Sequence, residues 1–187
     1  MLHAEFQLPA EWIPLPEATD FENRGDMFAG LDQPSMRALE LNVERVGEFV
    51  AGLPAHRDAW VLLRRRGIGA VLTLHGHPAP EGGTSDLIEA LRVAAIDPAI
   101  DVLNRTVRLV SIPAGDAIET HDFSIAHDFD SGTRPATERA TVTIFPPTGH
   151  WVVDLMLVTQ DLLLFEDSLD YLHSIAETVH PFGEVIE

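Results

Sequence analysis

HWVVDLMLVTQDLLLFEDSLDYLHSIAETV, residues 150–179, is the stretch that decides the fold. From Trp151 to Val158 both alternating sets of positions are apolar except at Asp154. A strand solvated on one face alternates, so this pattern predicts a strand covered on both faces, with helices on each side of its sheet. After a short acidic break, Phe165, Leu169, Leu172, Ala176 and Val179 recur at helical spacing and form one inward stripe. Glu166, Asp167, Asp170 and Glu177 fall on the solvent side of that final helix.

Working outward, three more strands precede this block: Thr106 to Ile112, Ala117 to His127 and Glu138 to Phe145. The connectors Pro113 to Asp116, Asp130 to Pro135 and Pro146 to Gly149 are short and rich in Pro and Gly. A parallel crossover needs a dozen or more residues, so these strands are expected to run as an antiparallel meander. Further upstream, Ser85 or Asp86 with Glu89 opens a helix over Leu87 to Ile96, which Asp97 and Pro98 stop. Trp60 to Leu74 reads as two short strands around Arg64-Arg-Arg-Gly67, with a helix over Arg57 to Arg65 as the rival reading.

Pro34 stands where a helix can begin, and Met36, Leu39, Val43, Val46, Val50 and Leu53 recur at three and four residues until Gly52 and Pro54 end the pattern. The Pro-rich, acidic passage from Glu11 to Asp32 carries Trp12, Ile13, Leu15, Phe21 and Phe28, too many apolar residues for a free linker. It is expected to lie along the core as irregular structure, after a first strand from His3 to Leu8. The expectation is therefore one domain over residues 1–187, of α+β class: an antiparallel sheet flanked by helices on both faces, an αβα sandwich.

Composition narrows the function classes. Thirty Asp and Glu face twelve basic residues, all of them Arg, giving a formal net charge of −18. Such a surface repels phosphate backbones and anionic lipid, so nucleic acid and membrane insertion are not expected. The absence of cysteine removes disulfides, thiolate nucleophiles and Cys-ligated metals. Residues 1–9 show no basic and apolar leader pattern, and no apolar run approaches the length of a spanning helix; a soluble, cytoplasmic protein is expected. Lysine-free, Ala- and Arg-rich usage matches the coding bias of many actinobacteria.

The opening Phe6-Gln-Leu-Pro-Ala-Glu-Trp12 and the close Gly149 to Gln160, followed by Phe165 to Val179, resemble the Mog1/PsbP-like domains, a group that includes actinobacterial lipoproteins of the LpqN type. The resemblance covers both ends and, in the middle, the order of elements. It implies an antiparallel sheet between helices and a binding or accessory role, chaperone-like or scaffold-like, toward a protein or peptide. It brings no catalytic residues with it. The chain departs from the lipoprotein members in lacking a lipobox cysteine.

Candidate chemistry is sparse. His75 and His77, two apart at a strand end, project to one face and are the pair from which a metal site would have to be assembled; no HExxH-type pair accompanies them, and neither metal nor cofactor is expected. His121-Asp122 and His127-Asp-Phe-Asp130 invite an acid–base reading, but neighbours on a strand point to opposite faces, and His121 and His127 lie roughly 20 Å apart at strand rise. There is no Gly-x-Ser-x-Gly elbow and no phosphate-binding glycine loop. Arg64, Arg65 and Arg66 form the one basic cluster, a candidate to receive a partner's carboxylates or to sit solvated at a hairpin tip. Trp12 and Trp60 read as core anchors. The sequence thus points to a non-catalytic protein with a protein or peptide partner and is compatible with a homodimer. The alternative is a small enzyme or a ligand-binding or metal-binding protein with a pocket lined by His75, His77, His121 or His127 and acids.

Overall fold

In the computed structural model, residues 4–15, 32–52, 58–64, 67–93, 100–126, 136–147 and 150–181 are described. They form nine strands and three helices: β1 (Ala4–Glu5), β2 (Trp12–Pro14), α1 (Gln33–Ala51), β3 (Asp58–Arg64), β4 (Gly67–Pro78), α2 (Gly83–Val93), β5 (Ile100–Ile112), β6 (Gly115–Ala126), β7 (Ala136–Phe145), β8 (Trp151–Thr159), α3 (Ser168–Ala176) and β9 (His180–Pro181). Seven strands make one sheet in the order β2-β3-β4-β8-β7-β6-β5, every neighbouring pair antiparallel. It consists of two meanders. The first runs inward from one edge to β4, the chain crosses through α2 to the opposite edge, and the second returns inward from β5 to β8.

Several local signals act as the sequence indicates. The Asp32 side chain accepts from the Ser35 backbone N–H at 2.9 Å, Pro34 occupies the first turn, and Gly52 caps the end of α1. Asp58 to Arg64 is strand, paired with β4, so the rival helix is not formed over these residues. Gly115 carries φ +139° in the tight turn between β5 and β6, and a Cβ there would stand 2.2 Å from the Phe145 carbonyl oxygen.

Other elements depart from expectation. The first strand is only Ala4–Glu5 and pairs with β9, outside the main sheet. Trp12–Pro14, in the passage expected to be irregular, is an edge strand on β3; a proline is tolerated at such an edge because the ladder bond it cannot donate is not needed. β4 continues to Pro78, so His75 and His77 sit inside a paired strand opposite Asp154 and Val152. α2 begins at Gly83, ahead of Ser85. β5 begins six residues before Thr106; its polar first half hides the alternation, and the register shifts between Val102 and Asn104. α3 is shorter than its apolar stripe, because the Asp167 side chain caps its start by accepting from the N–H groups of Leu169 and Asp170. Phe165 instead packs on Tyr171 from outside the helix, with ring centroids 4.6 Å apart. His3, Phe21, Phe28, Leu53, Pro54, the stop at Asp97-Pro98 and His127 to Asp130 lie outside the described residues.

Residues directly opposite in a ladder share a face, so rows can be followed across the sheet. One row runs Arg105, Asp122, Arg139, Val158, Val71, Val61, Ile13; the adjacent row on the other face runs Thr106, His121, Ala140, Leu157, Leu72, Trp60, Pro14. Val61, Val71 and Ile13 form a buried cluster with Leu39 and Val43 of α1. Leu62, Leu72, Val142, Leu155 and Leu157 form the larger cluster, with Leu169, Leu172, Ile175 and Ala176 of α3.

Candidate functional site

The strands beneath α3 are apolar except near β5, β6 and β7, where two buried carboxylates take the place of core side chains. Glu119, fully buried on β6, accepts from Arg108 of the neighbouring strand and binds Nδ1 of His173 on α3. Its acceptance of the Arg108 hydrogen bond holds that guanidinium above its ordinary pKa, with Asp170 adding to the effect. Glu138 of β7 accepts from Ser168 Oγ at 2.5 Å and lies 2.7 Å from His121 Nε2.

Ser168, His121 and Glu138 have the composition of a nucleophilic triad but not its geometry. A working imidazole uses one nitrogen for the nucleophile and the other for the acid. Here Nε2 alone faces both Glu138 and Ser168 Oγ, the latter at 3.3 Å, while the serine proton goes straight to the carboxylate. Ser168 is 1% exposed. Together with Trp12 Nε1–H donating to Tyr171 OH at 2.8 Å, these groups hold α3 to the sheet.

The face that carries the Arg105-to-Ile13 row is unusually polar at its centre. The candidate pair His75 and His77 is there, with rings stacked at 5.3 Å and 20°. Asp154, the single polar interruption in the strand that decides the fold, points to this face; its Oδ2 is 2.9 Å from His77 Nε2 and its Oδ1 accepts from Thr143 at 2.6 Å. His77 Nδ1 lies 3.0 Å from the Pro78 carbonyl oxygen. Both ring nitrogens of His77 therefore face acceptor oxygens. Among the described residues, no group of three His, Asp or Glu is placed to hold a metal ion. Thr73, on the same face and fully buried, has no hydrogen-bond partner for its hydroxyl among the described residues.

Farther along, Asp122 is bound by Arg105 on one side and Arg139 on the other, and Arg105 also donates to the Leu91 carbonyl at the end of α2. Burial raises the Asp122 pKa, and the two guanidiniums outweigh that, leaving it below the usual carboxylate value.

Of the histidines considered together, the described ones, His75, His77 and His121, do not converge. His75 lies opposite Asp154, Asp154 opposite Thr143, and Thr143 opposite Ile118, so odd-numbered His121 on the same strand as Ile118 points to the other face. Its neighbour Asp122 points back toward the first face, as adjacency on a strand requires. Arg64 ends β3 and is exposed, whereas Arg65 and Arg66 lie outside the described residues. Trp12 is buried in the core and Trp60 packs edge-to-face on Phe6 at 5.0 Å. Asp154 was signalled by its apolar surroundings; Glu119 and Glu138 were not, since only strand register reveals that they face inward. No helix among the described residues is long and apolar enough to cross a membrane. Neither a protein-family model nor a curated protein sequence matches the chain.

Proposed function

We propose that the chain is a non-catalytic binding or accessory protein, an αβα sandwich of Mog1/PsbP-like type, that holds a protein or peptide partner in a trough between α1 and α2. α1 packs on β4, α2 on β5 and β6, and α3 on β6, β7 and β8. Because Arg105 reaches α2 from the same row that reaches α1 through Val71, those two helices stand on one face, with β7 and β8 as the floor between them. The observation that carries the reading is that this floor stays half-buried at Thr141, Asp154, Met156 and Val158, whereas the same strands beneath α3 are sealed. An acidic, cysteine-free composition suits a cytoplasmic setting.

The test is stoichiometric capture of a partner by the immobilised protein, compared with Thr141→Arg and Met156→Arg on the floor and Leu163→Arg on an exposed loop. Loss of the partner in the floor variants alone supports the trough. Equal capture by all three, or no partner at all, removes it.

A second reading, a ligand-binding protein or small enzyme with a His/acid-lined pocket, draws on His75, His77, Asp154 and Thr143 gathered on that same face. Stoichiometric metal in the purified protein that disappears in His75→Ala would favour it over the partner-binding reading.

A further inference from the structure

We propose that β5 is a self-pairing edge, and that two copies of the chain join there in antiparallel register centred on Thr106, extending the sheet across a dimer. The two edges of the seven-stranded sheet are very unequal. β2 offers three residues ending in Pro14, whereas β5 offers 13. A long edge presents a row of backbone donors and acceptors, and proteins usually blunt it with charge, proline or a covering element. β5 instead exposes Leu103 to 64% and Leu109 to 54%. Its two basic residues are already engaged within the fold, Arg105 with Asp122 and Arg108 with Glu119.

The occupant follows from the strand's own sequence. Centred on Thr106, antiparallel self-pairing sets Arg105 opposite Val107 and Arg108 opposite Asn104 and, at the register shift between Val102 and Asn104, brings Leu103 of each copy beside Leu109 of the other. Other registers are worse. Centring on 105 or 108 sets an arginine against itself, and centring between 106 and 107 sets Arg105 against Arg108; like charges directly opposed are destabilising. Centring on 107 places Leu109 opposite Arg105 and Leu103 opposite Ser111. Charge also selects the place: each copy carries −18, and residues 102–112 contain no Asp or Glu. Two acidic molecules can therefore approach along this edge with little local repulsion. The surface is distinct from the trough, and the two proposals fail independently.

Sedimentation velocity from about 1 µM to about 500 µM covers the weak end of specific interfaces. A dimer that grows with concentration, and that is lost in Leu103→Lys/Leu109→Lys with the circular dichroism spectrum and Tm unchanged, is the expected result. A monomer throughout, or a dimer that survives the double substitution, overturns the proposal. The cysteine-free chain allows an independent check of register. Directly opposed strand residues have Cα atoms roughly 4.5–5.5 Å apart, within the disulfide range, so Thr106→Cys should oxidise to a covalent dimer far faster than Leu163→Cys on the exposed loop. Equal rates overturn the register.

Discussion

Asp122 is a nearly buried carboxylate kept ionised by two arginines on the strands either side of it. Its folded pKa is below the ordinary value, so it contributes stability at pH above the unfolded carboxylate value of about 3.9, and that contribution is lost as pH falls through the lower folded value. Urea unfolding of the native chain and Asp122→Asn should therefore differ by a constant amount between neutral pH and about pH 5, and converge below about pH 4. A gap that stays constant into strong acid would show that the ion pairs are not its source. The residue scale is also where the sequence is least explicit. His121-Asp122 can be recognised as split between two faces, but nothing local indicates that Asp122 meets Arg105 and Arg139 or that Glu119 meets Arg108 and His173, because every one of these pairs joins separate elements, strand to strand or strand to helix.

Among the elements, α3 is the best specified, and it is held in two ways. Leu172 is fully buried in the main core, while Tyr171 accepts the Trp12 indole N–H. Leu172→Ala is expected to cost about 2–5 kcal/mol, since it removes packing and leaves a cavity. Trp12→Phe keeps an aromatic ring but deletes the donor, and should cost about 1 kcal/mol from the hydrogen bond together with some lost packing. Chemical denaturation of both variants checks the order; a Trp12→Phe chain less stable than Leu172→Ala would place the larger share of the docking energy on β2. Helices and central strands were legible because their apolar periodicity is long. β2 was not, since three residues carry no period, and the first half of β5 was not, since Asp101, Asn104 and Arg105 interrupt its alternation. Which strands each helix packs on was not legible either, because it depends on the crossover through α2, which no local signal encodes.

At the scale of the molecule, the two meanders meet only at the β4–β8 ladder. Amide hydrogen exchange should find its slowest sites there and in β7–β8, where Leu72, Val153, Leu155 and Leu157 are sealed, and its fastest in the two-residue β1–β9 ladder. Rapid exchange in β8 would contradict a core centred on this seam. The same seam imposes an order in time. Ala70 pairs with Thr159 and Pro78 with Trp151, so β4 must wait for a partner made some 70 to 90 residues later. At ribosomal rates of about 5–20 residues per second, that interval is roughly 4 to 18 s. Throughout it, the strand running from Ala70 to Leu74 has one edge without its ladder partner. A nascent chain of this design is most vulnerable in the interval between the synthesis of β4 and that of β8, and slowing translation downstream of β4 lengthens that exposure.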